Sequence, residues 1–256
     1  MQFSANLGFL WTDRPLPDAI HAAGAAGFDA VECHWPYDVP ATAIKAALVE
    51  TGLPMLSMNT ARGDVAAGDN GLAALPGREA EARAAIEQAV AYAEAIDARA
   101  IHVMAGRADG PAAREIFLEN LHFAVNAAGG RMILIEPLNP FDAPGYFLNH
   151  TDQARDIIEE IATPNLRLMF DCYHVGQTEG DVIARLKDLL PLVGHIQFAG
   201  VPDRGRPDRG QVDYAEVFTA IKGLGWTRPL GAEYRPDGPT EQSLSWMETL
   251  TTDQAS

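Results

Sequence analysis

Four short apolar runs in the second half of the sequence each bring an oxygen-bearing side chain to their end. Met132–Glu136 closes on Glu136, Leu166–Asp171 on Asp171 and Pro229–Glu233 on Glu233, while Val193–Phe198 carries His195 and Gln197. A single carboxylate in such a place would mean little, because it can sit in water or cap the next helix. Three carboxylates brought together beside an amide carry negative charges that repel unless a cation neutralises them. Hard oxygen donors of this kind suit Mg²⁺ or Mn²⁺. The reading is one divalent metal held by Glu136, Asp171, Gln197 and Glu233. His195 and Gln197 are two residues apart and share one face of their strand. Gln197 is nearer the C-terminal end and is assigned as ligand through its amide oxygen. His195 lies one layer deeper and reads as a hydrogen-bonded core histidine.

Three further side chains are candidate substrate contacts. His174 follows Asp171 by three residues, where it can meet a substrate hydroxyl or carbonyl or simply cap a helix. His102 sits inside an earlier apolar run, either facing substrate or satisfied within the core. Arg204, in Pro-Asp-Arg-Gly-Arg-Pro-Asp-Arg-Gly, has the fork geometry to pair a substrate carboxylate bidentately. Arg206 and Arg209 are weaker versions of the same idea. Cys172 faces away from Asp171 in a continuing strand and reads as packing. The loop from Thr60 to Pro76 is long and glycine-rich, and loops of that length in compact domains are usually functional or mobile. It is the candidate lid.

Those residues need a scaffold, and the pattern along the chain supplies one. Strand-like runs at Gln2–Asn6, Ala30–His34, Pro54–Asn59, Ala100–Met104, Met132–Glu136, Leu166–Asp171, Val193–Phe198 and Pro229–Glu233 alternate with helical segments. The helical segments are Leu16–Ala26, Ala41–Glu50, Arg78–Ile96, Ala112–Ala127, Asp152–Ile161, Asp181–Leu190, Tyr214–Lys222 and Glu241–Leu250. Strict alternation means βαβ crossovers and a parallel sheet. Eight such units predict an α/β fold, a (β/α)8 TIM barrel, as a single domain over residues 1–256. A doubly wound open sheet is the alternative, but no Gly-x-Gly-x-x-Gly follows the first strand. In a barrel, the C-terminal strand ends share one rim, and that rim is where chemistry sits.

Composition excludes several classes. Asp and Glu number 35 against 19 Lys and Arg, a formal net charge of −16. That balance opposes binding to nucleic acid or to an anionic membrane surface, while leaving a locally basic pocket for a small anion. Two cysteines, Cys33 and Cys172, are too few for a disulfide framework or a cysteine zinc site and read as reduced, buried thiols. No apolar stretch reaches 18 residues, and the N-terminus lacks the marks of a signal peptide. The expectation is a soluble cytoplasmic protein acting on a small molecule, with homo-oligomer formation open.

The segments Gly63–Glu79, Ile135–Asn139, Asp171–His174, Gly194–Gly205 and Glu233–Pro236 together resemble hydroxypyruvate isomerase and its relative 2-oxo-tetronate isomerase, within the xylose isomerase-like barrels. The resemblance spans nearly the whole chain. It implies a divalent metal on the four residues already picked out, and it makes Glu136 and Glu233 the catalytic pair. It also implies an aldose–ketose-type isomerisation of a short hydroxy-carbonyl acid, with no redox cofactor. One loop departs from the family pattern: Arg206 and Gln211 stand where acids are usual, so that loop is expected to touch substrate and alter its identity. A ketose 3-epimerase is the nearest rival, although the matching seventh-strand ligand there is usually His. An apurinic-site endonuclease would need several zinc-binding histidines and a basic surface. A non-catalytic sugar-acid binding protein is the rival of another kind, disfavoured by the presence of both glutamates.

Overall fold

A computed structural model describes residues 1–250. Eight parallel strands, β1 (Phe3–Asn6), β2 (Ala30–Glu32), β3 (Ser57–Asn59), β4 (Ala100–His102), β5 (Met132–Ile135), β6 (Leu166–Asp171), β7 (Val193–Phe198) and β8 (Leu230–Ala232), pair in the order β2-β1-β8-β7-β6-β5-β4-β3. The ring closes between β2 and β3 through a bridge of Val31 to Met55, with Leu56 N–H donating to Val31 O at 2.8 Å. The result is the single-domain (β/α)8 TIM barrel that the alternation predicted.

The outer layer is α1 (Leu16–Ala25), α2 (Ala41–Thr51), α3 (Glu79–Ile96), α4 (Gly110–Ala127), α5 (Thr151–Ile161), α6 (Cys172–Thr178), α7 (Val182–Leu189), α8 (Tyr214–Gly223) and α9 (Trp246–Thr249). Local chemistry sets the boundaries. Proline stands in the first turn of α1 and α4, where its missing N–H is harmless. Asp213 caps α8 by accepting from Ala215 N at 2.9 Å and Glu216 N at 3.2 Å. The helices bury one stripe against the barrel: in α5 this is Ala154, Ile157, Ile158 and Ile161. At the β1–β8–β7 side, Phe198 lies edge-on to Phe3, Phe218 and Trp246 at 5.8, 5.0 and 5.3 Å between centroids. Such pairs add about 0.5–1.5 kcal/mol each beyond area burial.

Three expectations are corrected. The segment after β6, to which the alternation assigned no helix, is α6 rather than a continuing strand, because Asp171 both ends the strand and caps α6 by accepting from Tyr173 N at 2.9 Å. The C-terminal helix is broken into a 3-10 turn at Thr240–Ser243 and the short α9. The proposed lid is tied down over its second half. Ala73 N donates to Met104 O at 3.2 Å, Ala74 N donates to Ala105 O at 2.7 Å, and Leu72, Ala73 and Ala74 are buried. It forms a wall of the site, not a free flap.

Candidate active site

The C-terminal rim is the open end of a cavity of about 240 Å³ lined by residues from nearly every strand end, among them Phe9, His34, Trp35, His102, Glu136, His174, Arg204 and Glu233. A register shift in the β6–β7 ladder between Leu168 and Met169 sets Asp171 directly beside Gln197. Glu136 and Glu233 follow the last residues of β5 and β8. All four predicted ligands are buried, at 2–6 % exposure, so water does little to screen them.

Arg204 supplies a positive charge to Asp171 and Glu233, which leaves Glu136 as the carboxylate short of one. Burial, with Glu233 and Asp171 close by, holds the Glu136 carboxyl well above the usual carboxylate range. Burial also raises Asp171, against the pull of Arg204. Glu233 is pushed up by burial but held down overall by the Arg204 guanidinium and the His34 hydrogen bond. Two buried oxygens of these four residues have no hydrogen-bond partner: Oε1 of Glu136 and Oε1 of Gln197. Buried orphan acceptors are costly, and both are hard donors among carboxylates. The residues present therefore fit a divalent metal ion.

His174 is geometrically close, since Glu136, Asp171 and His174 can each offer an atom within 4.8 Å of the others. Its hydrogen bonding argues for another role. Nδ1 accepts from the Asn139 backbone N–H at 3.0 Å, so a neutral ring carries its proton on Nε2. That proton points toward Asp171 at 3.6 Å and Glu136 at 3.7 Å, and burial keeps the ring neutral. Arg204 Nη1, 3.3 Å from Nε2, is then a neighbour rather than a donor. A protonated Nε2 suits a substrate oxygen and not a metal. His102, with Nδ1 3.5 Å from Glu136, has no hydrogen-bond partner on either nitrogen; burial lowers its pKa to about 4, so it too is neutral.

Arg204 is not the solvated loop residue it could have been. Its backbone sits in the left-handed region at φ 56°, uncommon for a non-glycine residue. That turn folds the side chain back over the strand ends, where Nη2 donates to Glu233 Oε2 at 2.6 Å and Asp171 Oδ2 at 3.2 Å. Arg206 and Gln211, expected to touch substrate, do not line the cavity. Arg206 pairs with Asp208 and Ser245, and Gln211 is exposed.

The sequence reading missed the supports on the β1–β2 side. Glu32 is fully buried and accepts from Gln197 Nε2 at 2.9 Å, Asn6 Nδ2 at 3.1 Å and His195 Nε2. Pinning the Gln197 nitrogen fixes the orientation of the amide and leaves its oxygen without a hydrogen-bond partner. Asn6 Nδ2 and His34 Nε2 each lie 2.9 Å from Glu233 Oε1. Two glycines make room. A Cβ at Gly8 would lie 2.1 Å from the His34 ring, and one at Gly231 would lie 2.5 Å from Glu32. The sequence did hold a signal, since Ala-Val-Glu32 is a strand ending in a carboxylate like the other three.

The family model for xylose isomerase-like TIM barrels matches residues 20–250. A 2-oxo-tetronate isomerase of Cupriavidus necator is 45% identical, over 96% of this chain and 97% of that protein. A hydroxypyruvate isomerase of Escherichia coli K12 is 34% identical, over 97% of this chain and 98% of that protein. A crystal structure from Brucella melitensis, described as an AP endonuclease of family 2, superposes with a TM-score of 0.93 at 36% identity, covering 97% of this chain and 98% of that one. The chain belongs to the xylose isomerase-like TIM barrel family, and is an isomerase of the group that contains the hydroxypyruvate and 2-oxo-tetronate isomerases.

Proposed function

We propose that the protein interconverts a short hydroxy-carbonyl acid and its isomer, hydroxypyruvate with tartronate semialdehyde or the corresponding 2-oxo-tetronate pair. The observation that carries this is the pair of buried glutamates, Glu136 and Glu233, on strands three apart around one small cavity. At about 240 Å³ the cavity falls below the usual 300–1,000 Å³ of ligand pockets, which favours three or four carbons over a ketohexose.

Glu136, Asp171, Gln197 and Glu233 would hold Mg²⁺ or Mn²⁺, which supplies Lewis-acid polarisation of the adjacent carbonyl and hydroxyl oxygens. One glutamate takes the carbon-bound proton next to the carbonyl, leaving an enediolate on the substrate. The proton then returns at the neighbouring carbon, and the hydroxyl hydrogen moves to the other oxygen, so no electrons leave the molecule. The Nε2–H of His174 is placed to donate to a substrate oxygen as charge develops there, and His102 faces the same space as a neutral partner. Phe9, Trp35 and Leu138 form the apolar part of the wall and keep water from the carbanionic carbon.

The test is turnover of hydroxypyruvate and of a four-carbon 2-oxo sugar acid with added Mg²⁺ or Mn²⁺ in deuterated water. Isomer formation with deuterium in the product, abolished by chelation and restored by metal, is the expected result. A rate untouched by thorough chelation would overturn the metal, and no isomerisation of either acid would overturn the reaction. An endonuclease role is disfavoured by the charge of −16, which opposes a polyphosphate backbone.

A further inference from the structure

We propose that Arg235 anchors the substrate carboxylate and so sets the preference for acids over neutral ketoses. The proposal rests on the isomerase reading above and assigns a role that the sequence had suggested for Arg204. An anionic substrate entering this cavity meets Glu136, Asp142 and Glu233 on its walls, and needs a positive group of its own. Only two arginines line the cavity among the described residues, Arg204 and Arg235. Arg204 is 8 % exposed and its charge is already matched by Asp171 and Glu233, while its Nε donates to Glu233 O at 3.3 Å. A carboxylate bound there would have to displace the catalytic acids from it.

Arg235 is free of that commitment. It has no acidic partner within ion-pair distance among the described residues, in a chain where acids outnumber Lys and Arg 35 to 19. Its guanidinium carbon lies 5.7 Å from the centroid of Phe9, and that of Arg204 lies 4.9 Å from the same ring. Both guanidiniums thus lie against the Phe9 ring at the cavity wall, the buried one holding the acids and the other, Arg235, exposed to solvent. A short acid reaching from the glutamates toward the mouth would bring its carboxylate to Arg235.

The backbone carrying Arg235 is held firmly. Its N–H donates to Arg204 O at 2.7 Å. The preceding Tyr234 is fully buried, with its hydroxyl against Ser243 Oγ at 2.6 Å and Trp246 Nε1 at 3.1 Å. The stem therefore starts from a fixed point two residues beyond Glu233, and only its rotamers remain to be ordered by the ligand. A planar guanidinium on such a base suits a planar carboxylate. His34 cannot substitute, being bonded to Glu233.

Dihydroxyacetone keeps the hydroxy-ketone of hydroxypyruvate and replaces the carboxylate by CH₂OH, so the pair isolates the charge. With saturating Mn²⁺, kcat/KM is measured for both compounds in wild type, Arg235→Gln and Arg235→Lys. In Arg235→Gln the value for hydroxypyruvate should fall about tenfold to a hundredfold, chiefly through KM. The value for dihydroxyacetone should stay within threefold, and Arg235→Lys should recover part of the loss. D-glycerate, an inert acid of the same length, gives a second readout as a competitive inhibitor of hydroxypyruvate turnover. Its Ki should rise at least tenfold in Arg235→Gln. An unchanged preference for the acid with an unchanged Ki overturns the proposal, as does an equal loss on both substrates, which would mark a structural role. If wild type converts neither hydroxypyruvate nor a four-carbon 2-oxo sugar acid, the isomerase reading falls and takes this proposal with it; if it converts only the four-carbon acid, that acid replaces hydroxypyruvate in the comparison. If wild type converts hydroxypyruvate and Arg235→Gln does so equally well, only this proposal falls.

Discussion

Replacing Gly231 by alanine adds one methyl group and no charge, yet it reaches the site through its supports. A Cβ there would stand 2.5 Å from Glu32 Oε1 and 2.8 Å from Gln197 Cγ, well inside van der Waals contact. Glu32 has no room to yield, since it is fully buried and held by Asn6, Gln197 and His195. Overpacking of this kind costs about 1–3 kcal/mol. For a chain of this size that lowers Tm by roughly 2–12 °C, at about 2–4 °C per kcal/mol. The displaced group is the Gln197 amide, and disturbing the support of a metal ligand weakens metal binding about 10–100-fold. Thermal melts and calorimetric titration with Mn²⁺ read the two effects separately. Gly223→Ala serves as control, because nothing lies within 4 Å of a Cβ at that position. It should leave Mn²⁺ affinity unchanged and shift stability by no more than about 1 kcal/mol. A Gly231→Ala protein that binds Mn²⁺ as tightly as wild type would refute the reasoning that Glu32 and Gln197 are positioned by close packing for that ion.

Glu233→Gln should lower kcat by about 10²–10⁴-fold, the usual worth of a general acid or base, while near-ultraviolet dichroism remains native; near wild-type turnover would remove Glu233 from the chemistry. Asp213→Ala deletes both capping bonds of α8 and should cost about 0.5–2 kcal/mol by denaturant titration, with kcat unchanged because the cap lies outside the cavity. Phe198→Ala opens a void among Phe3, Phe218 and Trp246 and should cost about 3–5 kcal/mol, read from the denaturation midpoint at constant m-value.

The residues that were easiest to find are those whose signal is local. A buried parallel strand is a short run of apolar side chains, and a polar residue at its end is conspicuous, so Glu136, Asp171, Gln197 and Glu233 stand out in one dimension. The barrel itself follows from counting the alternation. Other features depend on contacts between distant segments. Arg204 reads as a loop arginine until the left-handed turn folds it onto Glu233, 29 residues further along the chain. The seven residues of α6 follow a strand with no break, and Asp171 serves both elements, so periodicity alone could not separate them. Glu32 and Gln197 are 165 residues apart in sequence, and nothing near either one announces the other.

That long-range pair also gives a reason for the one proposed ligand that is not an acid. Glu32 places a carboxylate oxygen 2.9 Å from the side-chain nitrogen at position 197. A carboxylate at 197 would face that oxygen with like charge in a buried, weakly screened space, at a penalty that grows as the dielectric falls. A glutamine avoids that repulsion, since its amide nitrogen donates to Glu32 while its oxygen, left without a hydrogen-bond partner, stays a hard donor available to the proposed ion. The orientation is thus written by hydrogen bonding and needs no ion to create it. Glu32 in turn tolerates full burial because three donors, from β1 and β7, converge on its two oxygens. The proposed ligands come from the β5–β8 half of the barrel and the hydrogen bonds that support them from the β1–β2 half. The closed ring of strands is what brings those halves within hydrogen-bonding distance.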